Sequence, residues 1–507
     1  MLTDILLIIL SAVVVAYFYL KYNAGYFKRK DVPFIPSNVL VGNITDLAFS
    51  RTDPTEMVNK WYHHPAGKDL PFVGMRVFNK NAILVKDPEL VKQVFIKDFN
   101  KFSNRYLKAD LHNDPLAASN LFFTKNPQWK MIRTKLTPVF TSGKIKQMFH
   151  LIDEVGQKLS SYIDKTVEQG KKMEIKYVCG LYTTDVISSI AFGLEINSFK
   201  DPNNEFLLSG QSMFDFTISR AITFTAVFFI PKLVPLLRAK MIPSQVENFF
   251  RKVFTFAVEE RKKSGAFRND LIDILIAFQN ASDKGDTDLE FTDEMLLGQA
   301  TVFFVAGFET SSSAMAFTLY ELALQPELQK RLRKEICDVY ERENGKLTYE
   351  AINSMEYLSM VLNETLRMYP PLPFLDREVT LAPTETGYSL KPFGDFVMPQ
   401  GMPVYVPAAG FHRDPKYFPN PLKFDPERFS PENKGNIVSG TYMPFGLGGR
   451  NCIGERMGLL QAKVGLFHFL KNHYVRPNAQ TMIPMKLNKR ALVIQADGGI
   501  YLDILKA

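Results

Sequence analysis

Between Thr292 and Leu324 the chain carries a run that leaves few choices of architecture. Thr292 has the hydroxyl of a helix N-cap, Asp293 and Glu294 follow where acids favour the helix dipole, and the pattern continues unbroken to Gln325 and Pro326. About 30 residues make roughly 45 Å of helix. Its middle, LLGQATVFFVAGF, is apolar on nearly every face. A helix without a polar stripe must be covered on all sides, so the spacing predicts a body assembled around one long central helix.

The remaining elements are smaller. Residues 72 to 85 read as a hairpin, FVGMRVF and AILV around Asn79, Lys80 and Asn81. Asp87 and Pro88 start a short helix by N-cap and first-turn chemistry. From Lys144 to Lys165 the residues Ile145, Met148, Ile152, Val155, Leu159 and Ile163 fall at helical spacing. Residues 370 to 431 are proline-rich, and a last hairpin is expected from ALVIQ and IYLDIL around Asp497, Gly498 and Gly499. No repeat or long linker interrupts residues 37–507, so the class is mainly α with small β-sheets, in a single domain.

Composition removes several functions. Sixty-one Lys and Arg against 53 Asp and Glu leave a net charge of +8 on 507 residues, too thin for a nucleic-acid stripe. Three cysteines, an odd number in a long chain, argue against a disulfide framework and for a reducing compartment. Forty-two Phe and 20 Tyr are compatible with an apolar ligand.

The N-terminal sequence ILLIILSAVVVAYFYL, residues 5 to 20, nearly spans a hydrocarbon layer of about 30 Å. A cleaved signal peptide needs a basic start and small residues at its end; here Asp4 is the one charged side chain before Tyr17, Phe18 and Tyr19. A buried core helix is the other reading, against which stand Lys21, Lys28, Arg29 and Lys30. These put the following chain on the cytosolic side. The expected organisation is an anchor over 1–20, a basic, proline-rich hinge over 21–36 with Pro33 and Pro36, and a cytosolic body over 37–507. A second apolar stretch, residues 221 to 243, is interrupted by Pro231, Lys232 and Pro235 and too short to span; dipping into the membrane surface and burial in the core both fit it.

Phe445 to Gly454 reads FGLGGRNCIG, and a helical pattern resumes at once. A cysteine at a helix mouth has backbone N–H groups aimed at its sulfur, and the dipole with Arg450 is expected to favour the thiolate. Gly446, Gly448 and Gly449 would let the backbone approach a flat macrocycle, and Gly454 would allow close packing behind the sulfur. Cys179 and Cys337 read as small buried hydrophobes.

Phe445, Gly448, Arg450, Cys452 and Gly454 fill all five fixed positions of FxxGxRxCxG, and in this the chain resembles the cytochrome P-450 family of haem-thiolate monooxygenases. The resemblance implies that Cys452 is the axial ligand of haem b, and that Arg450, Trp129, Arg133 and Arg377 face its propionates. AGFET, Ala306 to Thr310, resembles the family's oxygen-activation motif: Ala306 and Gly307 leave room for dioxygen, while Glu309 and Thr310 relay protons. Glu364 and Arg367 match ExxR, and Arg428 in PERF is expected to complete a structural triad with them. By family position the substrate meets Ser119, Phe122, Phe303, Ala306, Leu372 and Phe374.

FFVAGFETSSS, MYPPLPFLDREV and TPVFTSGKIKQMF look most like the insect microsomal detoxification branch, the sixth family of the insect enzymes. That implies NADPH- and O2-dependent oxygenation of lipophilic compounds such as plant toxins or insecticides at the endoplasmic reticulum membrane. No flavin or NADPH domain is recognisable, so electrons are expected from a separate NADPH-cytochrome P-450 reductase, with cytochrome b5 left open as a second donor. Lys130, Lys135 and Arg456 could meet such an acidic partner, and a solvated charged face explains them equally. A thiolate enzyme that rearranges peroxides, and a membrane-tethered haem carrier, are the rival readings.

Overall fold

The apolar N-terminal run is helical from Leu2 to Ala24 (α1), four residues past the expected span, and none of it is buried. The structure is a computed structural model and describes residues 1–268, 270–284 and 291–507. Beyond α1 the basic segment is not a free hinge. Phe27, Val32 and Ile35 are buried. The Phe27 ring covers Gly74, where a Cβ would come within 2.6 Å of it. Pro33 C=O accepts from the Gly74 N–H, and the Ile35 N–H donates to Gly74 C=O, each at 2.8 Å. The fixed φ of Pro33 and Pro36 thus gives extended backbone that docks on a strand.

That strand is β1 (Phe72–Val77), paired antiparallel with β2 (Lys80–Val85). The turn is tighter than expected, Phe78 and Asn79 alone, with Phe78 at φ +50; Lys80 and Asn81 belong to β2. Asp87 caps the next helix through the Leu90 N–H at 3.0 Å, as its residue type requires. After it come α2 (Pro115–Ser119), α3 (Gln128–Leu136) and α4 (Ser142–Glu168). The six apolar residues of the α4 pattern are all buried. A two-residue strand β3 (Met173–Glu174) leads into α5 (Ile175–Phe192), then α6 (Ile218–Phe229).

α6 bends by 116° into the segment ending at Leu237. Phe224, Val227 and Phe228 are buried, whereas Ile222, Leu236 and Leu237 are exposed, so residues 221–243 both pack on the body and present an apolar edge.

α7 (Asp293–Leu324) is the central helix, its first turn closed by the Met295 N–H on Thr292 Oγ1 at 3.3 Å. It packs against α2, α5, α8 (Glu356–Met368) and α9 (Glu455–Leu470). Between α8 and α9, β4 (Leu375–Glu378) and β5 (Pro403–Val406) complete a sheet of order β1-β2-β5-β4.

The last hairpin does not form as expected. β7 (Tyr501–Lys506) pairs with β6 (His473–Pro477) and β3, while residues 491–495 form no strand. Gly498 and Gly499, both at positive φ, do make a turn, yet its other arm gives a single bridge, Leu487 to Ala496. Pairing with β6 instead brings Val475 and Leu502 into one core. Cys179 is buried and Cys337 only half-buried, a difference from the expectation for the latter.

Candidate active site

The cysteine loop lies between β5 and α9, beneath a cavity of about 310 Å³ whose walls are mostly apolar. The Cys452 N–H donates to Phe445 C=O at 2.7 Å, closing the loop under the residue. The sulfur opens onto the cavity, deep in the protein, and burial raises its pKa. The Gly454 N–H and the charges of Arg133 and Arg105 oppose that rise without overcoming it. Arg450 donates instead to the Ser103 and Thr124 carbonyls, and without a bound cation burial favours the neutral thiol.

The glycines divide their work differently from the sequence reading. Gly446, at φ +74, faces the cavity and has its nearest neighbour 3.7 Å from a would-be Cβ. Gly448, at φ +69, faces protein: a Cβ there would stand 1.8 Å from Phe95 C=O. Gly449 is held against the Phe99 ring, 2.7 Å from its Cβ position, so the loop is pinned there. Gly454 has room for a Cβ, with Phe140 at 3.8 Å, and is not needed for close packing.

Four guanidiniums gather at one side of the cavity: Arg105, Arg133, Arg377 and Arg450. Arg133 donates to Asn451 C=O and Oδ1, both at 2.8 Å. Arg450 donates to Ser103 C=O and, at 2.8 Å, to Thr124 C=O, and covers the Trp129 ring at 4.2 Å. Arg377, 1% exposed, donates to Asp376 C=O at 2.7 Å and covers Phe95. Among the described residues the one carboxylate in ion-pair reach of these cations is Asp376, 3.7 Å from Arg105. Burial, then the charge of Arg105, pushes Arg377 down to about 9; burial, then Arg105 and Arg377, pushes Arg450 down to about 8. Arg377 Nε and Arg450 Nη1 are buried without any partner. Such a cluster is stable only with an anion opposite it. Arg105 was missed in the sequence because SNRY has no motif or periodicity to mark it.

α7 supplies the opposite wall through Val302, Phe303, Ala306, Gly307, Thr310 and Ser311, a stripe at helical spacing. The Thr310 hydroxyl donates to Ala306 C=O at 2.8 Å, leaving its oxygen open to the cavity. Gly307 is small for a second reason: a Cβ would meet Ile187 Cδ1 of α5 at 2.7 Å. Glu309 points elsewhere. It is 2% exposed and bonded to Lys176 Nζ at 3.0 Å and to the Ser313 hydroxyl at 3.1 Å. At about 100° per residue it falls off the cavity stripe, so its expected place beside Thr310 is corrected.

Of the other expected contacts, Phe122, Leu372 and Phe445 line the cavity with Trp129. Ser119 does not, its carbonyl being taken by Gln299. Phe374 packs on Phe229 and Tyr405, and its neighbour Leu375 takes the wall instead, because successive strand residues face opposite sides. Ile187, Ile190, Ala191 and Leu271 also line it and carried no sequence signal apart from hydrophobicity. Away from the cavity, Arg367 grips Glu364 through two bonds of 2.7 and 2.8 Å, and Arg428 approaches the same carboxylate at 3.4 Å. His412 joins them to the cysteine loop: it bonds Arg367 C=O at 3.1 Å and accepts from the Met443 N–H at 2.9 Å.

Comparison with known proteins agrees with this geometry. A family model described as Cytochrome P450 matches residues 33–502. The chain belongs to the cytochrome P450 family. It is 47% identical to probable cytochrome P450 6g2 of Drosophila melanogaster, over 99% of this chain and 98% of the relative. It is 41% identical to cytochrome P450 6k1 of Blattella germanica over 100% and 98%, and 35% identical to cytochrome P450 9e2 of the same insect over 97% and 96%. As a cytochrome P450 it is an oxidoreductase, a monooxygenase similar to insect enzymes of family 6, and the family uses a haem-thiolate group, redox partners and small-molecule substrates. The residues present fit that group: a sulfur opens onto the cavity, and two unpartnered guanidinium nitrogens await acceptors at its side.

Proposed function

We propose that this cytochrome P450 oxygenates lipophilic foreign compounds, plant toxins or insecticides among them, by hydroxylation or epoxidation. The observation that carries the reading is the juxtaposition of Cys452 and four under-compensated guanidiniums on the wall of one largely apolar cavity. In it the Cys452 sulfur would bind the iron of haem b, and Arg105, Arg133, Arg377 and Arg450 would meet its carboxylates, with Trp129 against Arg450. Burial favours the neutral thiol, so a bound metal cation is what would hold the sulfur as thiolate. When bound, the haem supplies dioxygen binding and its reductive cleavage, one oxygen atom going to substrate and the other to water.

The chain's own residues do the rest. Phe122, Phe303 and Leu372 desolvate an apolar molecule and hold it against the α7 stripe. Ala306 and Gly307 keep the wall low, and the Thr310 oxygen accepts a proton donor at the cavity and passes the proton on. Glu309 stands outside the cavity, its ion pair with Lys176 tying α7 to α5. Electrons come from NADPH through a separate NADPH-cytochrome P-450 reductase, with cytochrome b5 as an auxiliary donor. The basic face bearing Lys130, Lys135 and Arg456 is where an acidic partner would dock. α1 fits a membrane anchor. We place it in the endoplasmic reticulum membrane with the body, 37–507, in the cytosol, the exposed Leu236 and Leu237 resting on the same surface.

The test is the absorption spectrum of the dithionite-reduced protein with and without carbon monoxide, for wild type and Cys452→Ser. A Soret band far to the red of histidine-ligated haem, lost in the variant, is expected; a folded protein without any haem band overturns the reading. Product formation that proceeds without NADPH would transfer the assignment to peroxide rearrangement.

A further inference from the structure

The part of the cavity wall formed by Leu121 and Phe122 belongs to an irregular segment that follows α2, and such a segment keeps its place only if something holds it. Its other ties lead away from the central helix. Asp114 accepts from the Met241 and Ile242 N–H groups at 2.6 and 3.2 Å, and Asn120 Oδ1 closes the local turn through the Phe122 N–H at 2.9 Å. On α7, which α2 packs against, two consecutive residues hold the segment most directly. At Gly298 a Cβ would stand 2.9 Å from Leu116 C=O, so α2 rests directly on the α7 backbone. Gln299, 1% exposed, then uses its whole amide: Oε1 accepts from the Leu121 N–H at 2.9 Å, and Nε2 donates to Ser119 C=O at 2.9 Å and to Met295 C=O at 3.0 Å. Gln299 itself does not line the cavity.

We infer that Gln299 is a positioning residue for specificity: by clamping Ser119 and Leu121 to the central helix it sets the height of the cavity roof, and so the size of lipophilic molecule admitted, without touching that molecule. The inference rests on the reading of the cavity as the haem and substrate chamber. The physical argument is one of satisfaction. Without the amide, the buried Leu121 N–H and Ser119 C=O lose their partners, and the segment moves to regain them at the expense of the positions of Leu121 and Phe122. Phe122 carries the guanidinium of Arg105 on its ring at 4.3 Å.

The experiment uses the haem-loaded full chain with Gln299→Met, which keeps the volume and removes all three bonds, and Gln299→Glu, which keeps the acceptor for the Leu121 N–H. Two iron-binding probes of different size are titrated by difference spectroscopy: imidazole, and 4-phenylimidazole, whose added ring demands more of the cavity. Loss of one buried hydrogen bond corresponds to about a fivefold change in an equilibrium constant. The ratio of the two affinities should therefore change by about that factor in Gln299→Met, less in Gln299→Glu, with imidazole itself unaffected. Amide hydrogen exchange over residues 115–124 should accelerate by a similar factor while α8 and α9 stay protected. An unchanged ratio overturns the inference, whether or not exchange accelerates. So does a general loss of protection and of the carbon monoxide band in both variants, which would make Gln299 a stability residue only. If wild type gives no imidazole spectrum at all, it is the chamber assignment that falls.

Discussion

His412 shows how a single buried residue can be fixed in one protonation state by its neighbours. Its Nε2 accepts the Met443 N–H, so the proton sits on Nδ1, facing Arg367 C=O. Burial, then the charge of Arg367, lowers its pKa to about 3. The unfolded value is near 6.5, so between the two the unfolded chain binds the extra proton. The contribution of His412 to stability is complete above pH 6.5 and is lost as pH falls toward 3. Between pH 7 and 5 the loss is about 2 kcal/mol. Urea unfolding of the haem-loaded protein at both pH values should show the wild type losing about that much more than His412→Gln, although the variant is the weaker at pH 7. Equal losses would refute the neutral imidazole. The wider lesson at this scale is that motif residues were legible in the sequence and orientation was not. Thr310 and Glu309 are adjacent in AGFET, yet one faces the cavity and the other an ion pair on α5.

Among the elements, α7 was the most legible, because a long apolar helix with an N-cap at one end and Gln325-Pro326 at the other has no competing solution. α4 was equally plain from its period, and the β1-β2 hairpin was legible as a hairpin although its turn ends two residues earlier than expected. The terminal hairpin was not, since strand partners distant in sequence are chosen by packing that no local pattern records. The contact between α5 and α7 is of the same hidden kind, and it makes a prediction. Gly307→Ala gains about 1 kcal/mol of helix propensity, but its Cβ would lie 2.7 Å from Ile187 Cδ1. Overpacking of that kind costs about 1–3 kcal/mol, so the net effect should be a loss of up to about 2 kcal/mol. In an Ile187→Val background Cδ1 is absent and the nearest neighbour is Cγ1, at 3.1 Å. There the same change should be close to neutral. A thermal-denaturation double-mutant cycle reads the coupling, and additive effects would place the strain elsewhere.

For the whole molecule the question is where the membrane element ends and the folded body begins. The sequence put the boundary at a hinge over 21–36, because basic residues and prolines usually mark a linker. What the pattern could not show is that Phe27, Val32 and Ile35 find a place against the first sheet, with Gly74 bare beneath the Phe27 ring. Asn23 also reaches the β1-β2 turn, bonding Asn79 C=O and accepting from Asn81 at 3.0 Å. The anchor therefore joins the body without slack. Two deletions separate the roles. Removing residues 2–24 takes away no buried side chain, so the melting temperature of the haem-loaded protein should hardly move while its retention on phospholipid vesicles falls. Removing residues 2–36 takes away three buried apolar side chains, each contributing about 1.5–3 kcal/mol, and uncovers β1. That deletion should lower the melting temperature sharply with little further loss of vesicle binding. If both deletions melt alike, the segment is a linker after all; if the longer one alone releases the protein from vesicles, the attachment lies in residues 25–36 and not in the apolar helix.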